Sequence, residues 1–209
     1  SRVTARPHLV LPLSSVFSKK KRLVVDCSRA LNPFLLDRKV RLQDLRDIPN
    51  ILKPGMVQAV DDLDSGYWHL KIAPEHRTFL GISINDEKTG KPIFFVWNTL
   101  FLGVKDAVYI FTLILRPVRA YLTSLGVPFL IYLDDAWMGG DDKQDCLKNR
   151  TISREVLKKA GFVVSESKAI EPNHKIVYLG LEVCSLSMKF FIPKKKMEKI
   201  IVSAGVMLR

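Results

Sequence analysis

Val127-Pro-Phe-Leu-Ile-Tyr132-Leu-Asp-Asp135-Ala-Trp-Met-Gly-Gly140 is an apolar run, two adjacent acids, and a second apolar run closing on glycines. The pattern predicts strand, acidic turn, strand, with Asp134 and Asp135 at the tip of the hairpin. Neighbouring carboxylates repel, and they persist where a cation or solvent compensates them. Taken alone, two acids in a turn are ordinary solvated turn formers.

Upstream, the apolar strand Val57–Leu63 runs into a second acidic cluster, Asp61-Asp62-Leu63-Asp64-Ser65-Gly66-Tyr67. Trp68–Ile72 alternates, Phe79–Ile84 is rich in strand formers, Asn85–Pro92 is a polar turn and Ile93–Trp97 its return strand. Lys105–Leu125 is a helix candidate in which Pro117 should mark a kink or a break. After the acidic hairpin, Asp145–Ala160 is an amphipathic helix stopped by Gly161, and Phe162-Val-Val is a strand. From Val57 onward, with the inserted strands set aside, the order is βαββαβ, the split arrangement of a ferredoxin-like sheet. The fold class is therefore α+β.

The flanks complete the plan. Ser14–Asp26 predicts a hairpin with the cationic tip Lys19-Lys-Lys-Arg22, and Leu42–Leu52 has a helical look ended by Pro54-Gly55. Lys175–Phe191 reads as a strand pair, and Pro193 opens a last basic helix. The ends read as cut rather than capped, so a fragment of a larger chain is expected. Among 209 residues, 47% are hydrophobic, enough for a core, and 33 Lys and Arg oppose 21 acids for a net charge of +12. That balance points to a polyanionic partner such as nucleic acid or an acidic membrane. Cys27, Cys146 and Cys184 are odd in number and widely spaced, which argues against a disulfide framework and for a reducing compartment. Ile93–Leu115 is long enough to consider as a membrane span, but Lys105 and Asp106 interrupt it, and it reads as a buried strand and helix. With no leader-like segment, an intracellular location, nuclear or cytoplasmic, is expected, without secretion or membrane insertion.

Six segments, in order, resemble the reverse transcriptase family. Val16-Phe-Ser-Lys-Lys-Lys-Arg22-Leu-Val-Val-Asp26 with Leu31-Asn32 resembles the fingers pattern KK…RxVxDxxxLN. Asp62-Leu-Asp-Ser-Gly-Tyr67-Trp-His-Leu-Lys-Ile72 resembles DLxSGYxxxxI, and Leu102-Gly-Val-Lys-Asp-Ala107 with Phe111 resembles FGLxxAPxxF. Tyr132-Leu-Asp-Asp135 resembles the YxDD box, Leu157–Lys168 the motif with a lysine after a GF strand, and Tyr178-Leu-Gly180 the YLG primer-grip hairpin. Leu115–Gly126 followed by Ile131–Asp135 is most similar to DIRS-type and gypsy-like retrotransposon enzymes.

The resemblance implies a right-hand polymerase: fingers over 1–58, palm over 59–76, fingers strands over 77–98, palm over 99–192, and a thumb start or C-terminal helix over 193–209. It implies RNA-directed DNA polymerisation with two Mg²⁺ ions, for which Mn²⁺ is a possible substitute. The implied partners are an RNA or DNA template, a primer with a 3′-hydroxyl, and dNTPs. Asp62, Asp134 and Asp135 match the catalytic metal ligands, with Asp134 the principal one of its pair, and the Leu63 carbonyl lies against the metal-bound triphosphate. Tyr67 matches the steric gate that excludes a ribose 2′-hydroxyl. Lys20 and Arg22 match the triphosphate clamp, Lys168 a general acid toward pyrophosphate, and Gly103 a close approach of backbone to template or nucleotide. Tyr178, Leu179 and Gly180 match the primer grip. Asp61 and Asp64 miss the spacing and are read as bystanders.

Phe101-Leu-Gly103 stands where the family has PFG, and Ala107-Val108 where it has AP, so a domesticated, weak or inactive nucleic-acid-binding scaffold is the alternative reading. An RNA-templated RNA polymerase on the same palm is a third. Lys19–Arg22 also fits a nuclear import signal or a solvated turn, and Lys168 a surface charge on a loop. His69 and His174 lack companions at zinc-ligand spacing. Asp141-Asp142 reads as a solvated loop, and Trp97 and Trp137 as core residues.

Overall fold

A computed structural model describes residues 1–17 and 21–207; residues 18–20, 208 and 209 lie outside the description, as do the side chains of residues 17, 21, 22 and 205–207. In chain order the elements are β1 (Arg2–Val3), β2 (Leu13–Phe17), β3 (Lys21–Val25), β4 (Val57–Leu63), β5 (Gly81–Asn85), β6 (Pro92–Val96), α1 (Ala107–Ser124), β7 (Phe129–Tyr132), β8 (Asp135–Gly140), α2 (Lys143–Lys159), β9 (Val164–Asn173), β10 (Lys175–Tyr178), β11 (Leu181–Cys184), β12 (Lys189–Phe191) and α3 (Lys194–Met207). The chain divides into two compact units, Ser1–Val40 with Ser65–Leu113, and Arg41–Asp64 with Ile114–Arg209.

In the first unit, β2 and β3 form the expected antiparallel hairpin, from Leu13 opposite Val25 to Phe17 opposite Lys21. A second sheet runs β1-β6-β5. Leu11, Val25, Cys27, Leu31, Leu80, Ile82 and Phe101 form the core, with Trp97 packed against it. Trp68–Ile72 is not a strand: Ser65 takes φ +55, and Gly66–His69 is a 3₁₀ turn. The Ser-Gly pair supplies the turn chemistry that overrides the alternation.

The second unit holds an antiparallel sheet in the order β7-β8-β4-β9. It is the sheet of the expected βαββαβ arrangement, with its first strand, β4, in the interior. β4 is covered on both faces, so nearly every residue in it is buried. One face carries the core of Ile48, Leu52, Met56, Val60, Leu130, Trp137, Ile176, Tyr178 and Val183. The buried polar group among them is satisfied: Trp137 Nε1 donates to Gln58 Oε1 at 3.1 Å, and Gln58 Nε2 donates to the His174 carbonyl at 3.0 Å. These bonds fix β4 against β8 and the β10–β11 hairpin.

Leu42–Leu52 is not a helix. Only Ile48–Asn50 forms a 3₁₀ turn, with Pro49 in it, and the apolar side chains serve the core without helical spacing. Pro117 does not break α1, which runs from Ala107 to Ser124. Phe111, Leu115, Val118 and Leu122 form a buried stripe spanning the proline, and packing of that stripe offsets the lost backbone hydrogen bond. The opposite side, including Leu113, Ile114 and Tyr121, is exposed, so the helix is amphipathic rather than wholly buried. Helix α2 starts at Lys143, two residues earlier than its apolar pattern. Asp142 caps it by accepting from the Asp145 N–H at 2.8 Å, while Asp145 accepts from Asp141. The acids read as solvated loop thus terminate a helix. All three cysteines are free and buried. No described helix is long and apolar enough to cross a membrane.

Strand β9 departs most from expectation. It is ten residues long and bulged against β4, where the two-residue step from Asp62 to Val60 faces the five-residue step from Ser165 to Ile170. At the other edge of the unit, a Cβ on Gly140 would fall inside the van der Waals radius of the Cys146 backbone. β8 therefore reaches the first turn of α2 only without a side chain. Gly140→Ala is expected to cost about 1–3 kcal/mol, read as a lowered midpoint in thermal or urea unfolding.

Candidate active site

The acidic hairpin forms as the sequence predicts. β7 ends at Tyr132 and β8 begins at Asp135, which pair across a two-residue turn of Leu133 and Asp134. Leu133 takes φ +51, a left-handed conformation that costs a non-glycine residue on the order of 1–2 kcal/mol. The turn is held from outside, since the Leu63 N–H donates to the Asp134 carbonyl at 2.8 Å. The hydroxyl of Tyr178 donates to the Asp135 carbonyl at 3.3 Å. Burial pushes the Tyr178 phenol up, so it stays a neutral donor.

Register brings the two acidic clusters together. Asp62 of β4 stands directly opposite Asp135 of β8, and Asp61 stands opposite Ala136. Like charges directly opposite in an antiparallel pair are destabilising, so the arrangement is not one that sheet stability selects. Burial, then the charges of Asp62 and Asp135, push the Asp134 carboxyl up to about 6, with Lys168 pulling it back. Burial and Asp62 likewise push Asp135 up. Asp134 Oδ1 is buried and accepts no hydrogen bond. Among the described residues, one cation sits among these acids: Lys168 Nζ donates to Asp62 Oδ1 at 2.5 Å. Lys168 lies not on a loop but in the bulged stretch of β9, which lets a half-exposed side chain reach back to β4. Among the described residues, no three His, Cys, Asp or Glu side chains are already gathered as a cation-binding group.

Strand alternation turns Asp61 to the opposite face from Asp62. Far from a bystander, it has no exposed surface and is gripped by two arginines of α2. Arg150 donates to Asp61 Oδ1 through Nε at 3.0 Å and Nη2 at 2.8 Å. Arg154 reaches Oδ2 through Nε at 2.7 Å and Oδ1 through Nη2 at 2.9 Å. The arginines continue to Glu171 and Glu166 of β9, tying three elements together behind the site. Sequence reasoning missed this network. Its signal was the i, i+4 spacing of Arg150 and Arg154, which puts both on one helix face.

Other expected site residues are placed as follows. Tyr67 is buried in the first unit, stacked on Phe111 with ring centroids 4.5 Å apart. Gly103 takes φ +121, its carbonyl accepts from Asn32 Nδ2, and a Cβ there would lie 3.1 Å from the Val25 carbonyl oxygen; local backbone alone requires glycine. Lys20 lies outside the described residues, as does the Arg22 side chain. Leu179 and Gly180 form the β10–β11 turn, both with positive φ, the geometry of a two-residue hairpin. Tyr178 faces inward, beneath the acidic hairpin.

The sheet order, with one carboxylate of its central strand standing opposite the acidic hairpin, matches the palm arrangement expected from the sequence. The chain belongs to the reverse transcriptase (RNA-dependent DNA polymerase) family, whose profile matches residues 19–183. It is 30% identical over 165 residues to the genome polyprotein of Petunia vein clearing virus (isolate Shepherd), covering 78% of this chain and 7% of that polyprotein. It is 27% identical over 164 residues to the enzymatic polyprotein of Cestrum yellow leaf curling virus, covering 78% of this chain and 24% of that one. Its fold is similar to the fingers and palm in a foamy viral protease-reverse transcriptase in complex with double-stranded DNA. The TM-score is 0.80 at 19% identity, over 95% of this chain and 33% of the other. A complex of the foamy viral protein with an RNA/DNA hybrid gives a TM-score of 0.77 at 20% identity, over 95% and 25%. The chain thus spans a third or less of the length of these relatives.

Adjacent aspartates should respond oppositely. Asp61→Asn strands two arginines beside a buried amide and is expected to cost about 3–5 kcal/mol, whereas Asp62→Asn relieves a like-charge pair and is expected to change stability by less than about 1 kcal/mol. Urea unfolding at neutral pH reads both. Burial raises the Asp61 carboxyl, but the hydrogen bonds and charges of Arg154 and Arg150 together hold it below the usual carboxylate range. Its contribution is therefore complete above the unfolded value and lost as pH falls through the folded one, so the Asp61→Asn difference should shrink in acid.

Proposed function

We propose that this chain is the fingers and palm of an RNA-directed DNA polymerase that adds deoxynucleotides from dNTPs to a primer 3′-hydroxyl opposite an RNA or DNA template. In this reading residues 1–58 and 77–98 supply the fingers and residues 59–76 and 99–192 the palm, and the finer likeness to DIRS-type and gypsy-like retrotransposon enzymes rests on Leu115–Gly126 and Ile131–Asp135. The observation that carries it is the placement of Asp62 opposite Asp135, in family motif positions, beside Asp134 with its buried carboxylate oxygen that accepts no hydrogen bond.

These residues fit Mg²⁺, and Mn²⁺ in its place. They offer hard oxygen donors, few in number, and the crowding that raises Asp134 is relieved by a cation. Asp62 and Asp134 would hold the metal with Asp135 as auxiliary and the Leu63 carbonyl at its edge; when bound, it lowers the pKa of the attacking hydroxyl and neutralises charge on the triphosphate. The rest falls to the chain's own groups. The ammonium of Lys168 lies beside Asp62, which puts a proton donor within reach of the departing pyrophosphate. The Tyr67 ring, fixed on Phe111, acts as the sugar filter. Lys20 and Arg22 clamp the triphosphate, Tyr178, Leu179 and Gly180 hold the primer strand, and the net charge of +12 suits the template and primer. The foamy viral relatives were solved with double-stranded DNA and an RNA/DNA hybrid, which supports the same substrate class here.

Primer extension on an RNA template with Mg²⁺ and dNTPs tests the reading. Asp134→Asn is expected to slow extension by roughly 10³-fold or more, the loss of several kcal/mol of transition-state stabilisation; extension equal to wild type would sink the assignment. Tyr67→Ala is expected to raise rNTP incorporation relative to dNTP by about tenfold or more, and unchanged sugar selectivity would remove Tyr67 as the gate.

A further inference from the structure

The acids of the hairpin region are not compensated equally. Asp62 is engaged by Lys168, Asp134 keeps a buried oxygen without a donor, and no ready-made group of three carboxylates is gathered among the described residues. We propose that Lys168 is a stand-in cation: it occupies the position on Asp62 that a divalent metal takes, and metal entry displaces it.

This inference rests on the reading of Asp62 and Asp134 as metal ligands and adds a step before any nucleotide arrives. The Lys168 head group carries one charge on a flexible stem, while a divalent ion carries two and accepts several oxygens at once. On one oxygen of Asp62 an ammonium and a divalent ion would stand side by side and repel, so the more strongly held divalent ion displaces the ammonium. The side chain is half exposed, so it can swing out without unpacking anything. It leaves from a bulge, where β9 residues between Ser165 and Ile170 are released from the ladder with β4. The exchange keeps the cross-strand pair Asp62 and Asp135 from facing each other uncompensated. It also delivers a free ammonium to the rim of the site only once the metal is in place, which orders the two cations.

Mn²⁺ binding to the 209-residue chain, followed by the electron paramagnetic resonance signal of the free ion, reads the competition without any turnover. Lys168→Met, which keeps the stem and removes the charge, is expected to bind Mn²⁺ about tenfold more tightly than wild type. Lys168→Gln should do the same, and Lys168→Arg should bind no more tightly than wild type. In wild type, saturating Mg²⁺ should speed amine labelling of Lys168, measured by mass spectrometry. Metal binding by wild type with no tightening in Lys168→Met and Lys168→Gln overturns the inference alone. Unchanged Lys168 labelling at saturating Mg²⁺ overturns it as well. Failure of wild type and both neutral variants to bind Mn²⁺ overturns the metal reading and the inference together.

Discussion

The carboxylate of Asp61 is closed off from solvent and held by two guanidinium groups from one face of α2, and the site depends on that grip. Four donor contacts on two oxygens fix the end of β4 in position and rotation. Because side chains alternate along a strand, fixing Asp61 inward presents Asp62 on the opposite face, against the hairpin. Glu166 and Glu171 extend the same network to β9, the strand that supplies Lys168. Helix, central strand and bulged strand are thus clamped behind the acidic hairpin, and the strain of Leu133 and the like-charge pair is carried in front of them.

The front face holds its acids in place by backbone rather than by charge. The Leu63 N–H and the Tyr178 hydroxyl each take a carbonyl of the acidic turn, Asp134 and Asp135 respectively. Those bonds leave the carboxylates free for a cation while denying the turn other conformations. Tyr178 therefore joins the β10–β11 hairpin to the acidic turn directly, so the segment resembling a primer grip and the acids share one support.

Legibility in the sequence followed the physics of each segment. β4, the acidic hairpin, α2 and the Leu179-Gly180 turn were readable because local pattern and tertiary role agree there. Leu42–Leu52 misled because its apolar residues serve the core from an irregular path around Pro49. Pro117 misled in the other direction, since a packed stripe outweighed a local helix breaker. Asp62, Asp134 and Asp135 were singled out through family spacing, and the register of β4 and β8 sets Asp62 opposite Asp135. Asp61 was dismissed by the same spacing, because a family pattern records what touches substrate and says nothing of what a neighbouring residue does on the far side of the strand. Lys168 was placed on a loop because a bulge erases the alternation that marks a strand.

The bulge in β9 has an arithmetic consequence. An odd number of extra residues lies between Ser165 and Ile170, so parity changes along the strand. Plain alternation over five residues would turn Ile170 away from the face of Ser165, and the bulge brings it back opposite Val60 and onto the core. Loss or gain of one codon between these positions would demand a bulge of another size and shape, in the stretch that also carries Glu166 and Lys168. This short stretch therefore behaves like a reading frame: it tolerates exchange of one residue for another far better than a change in their number.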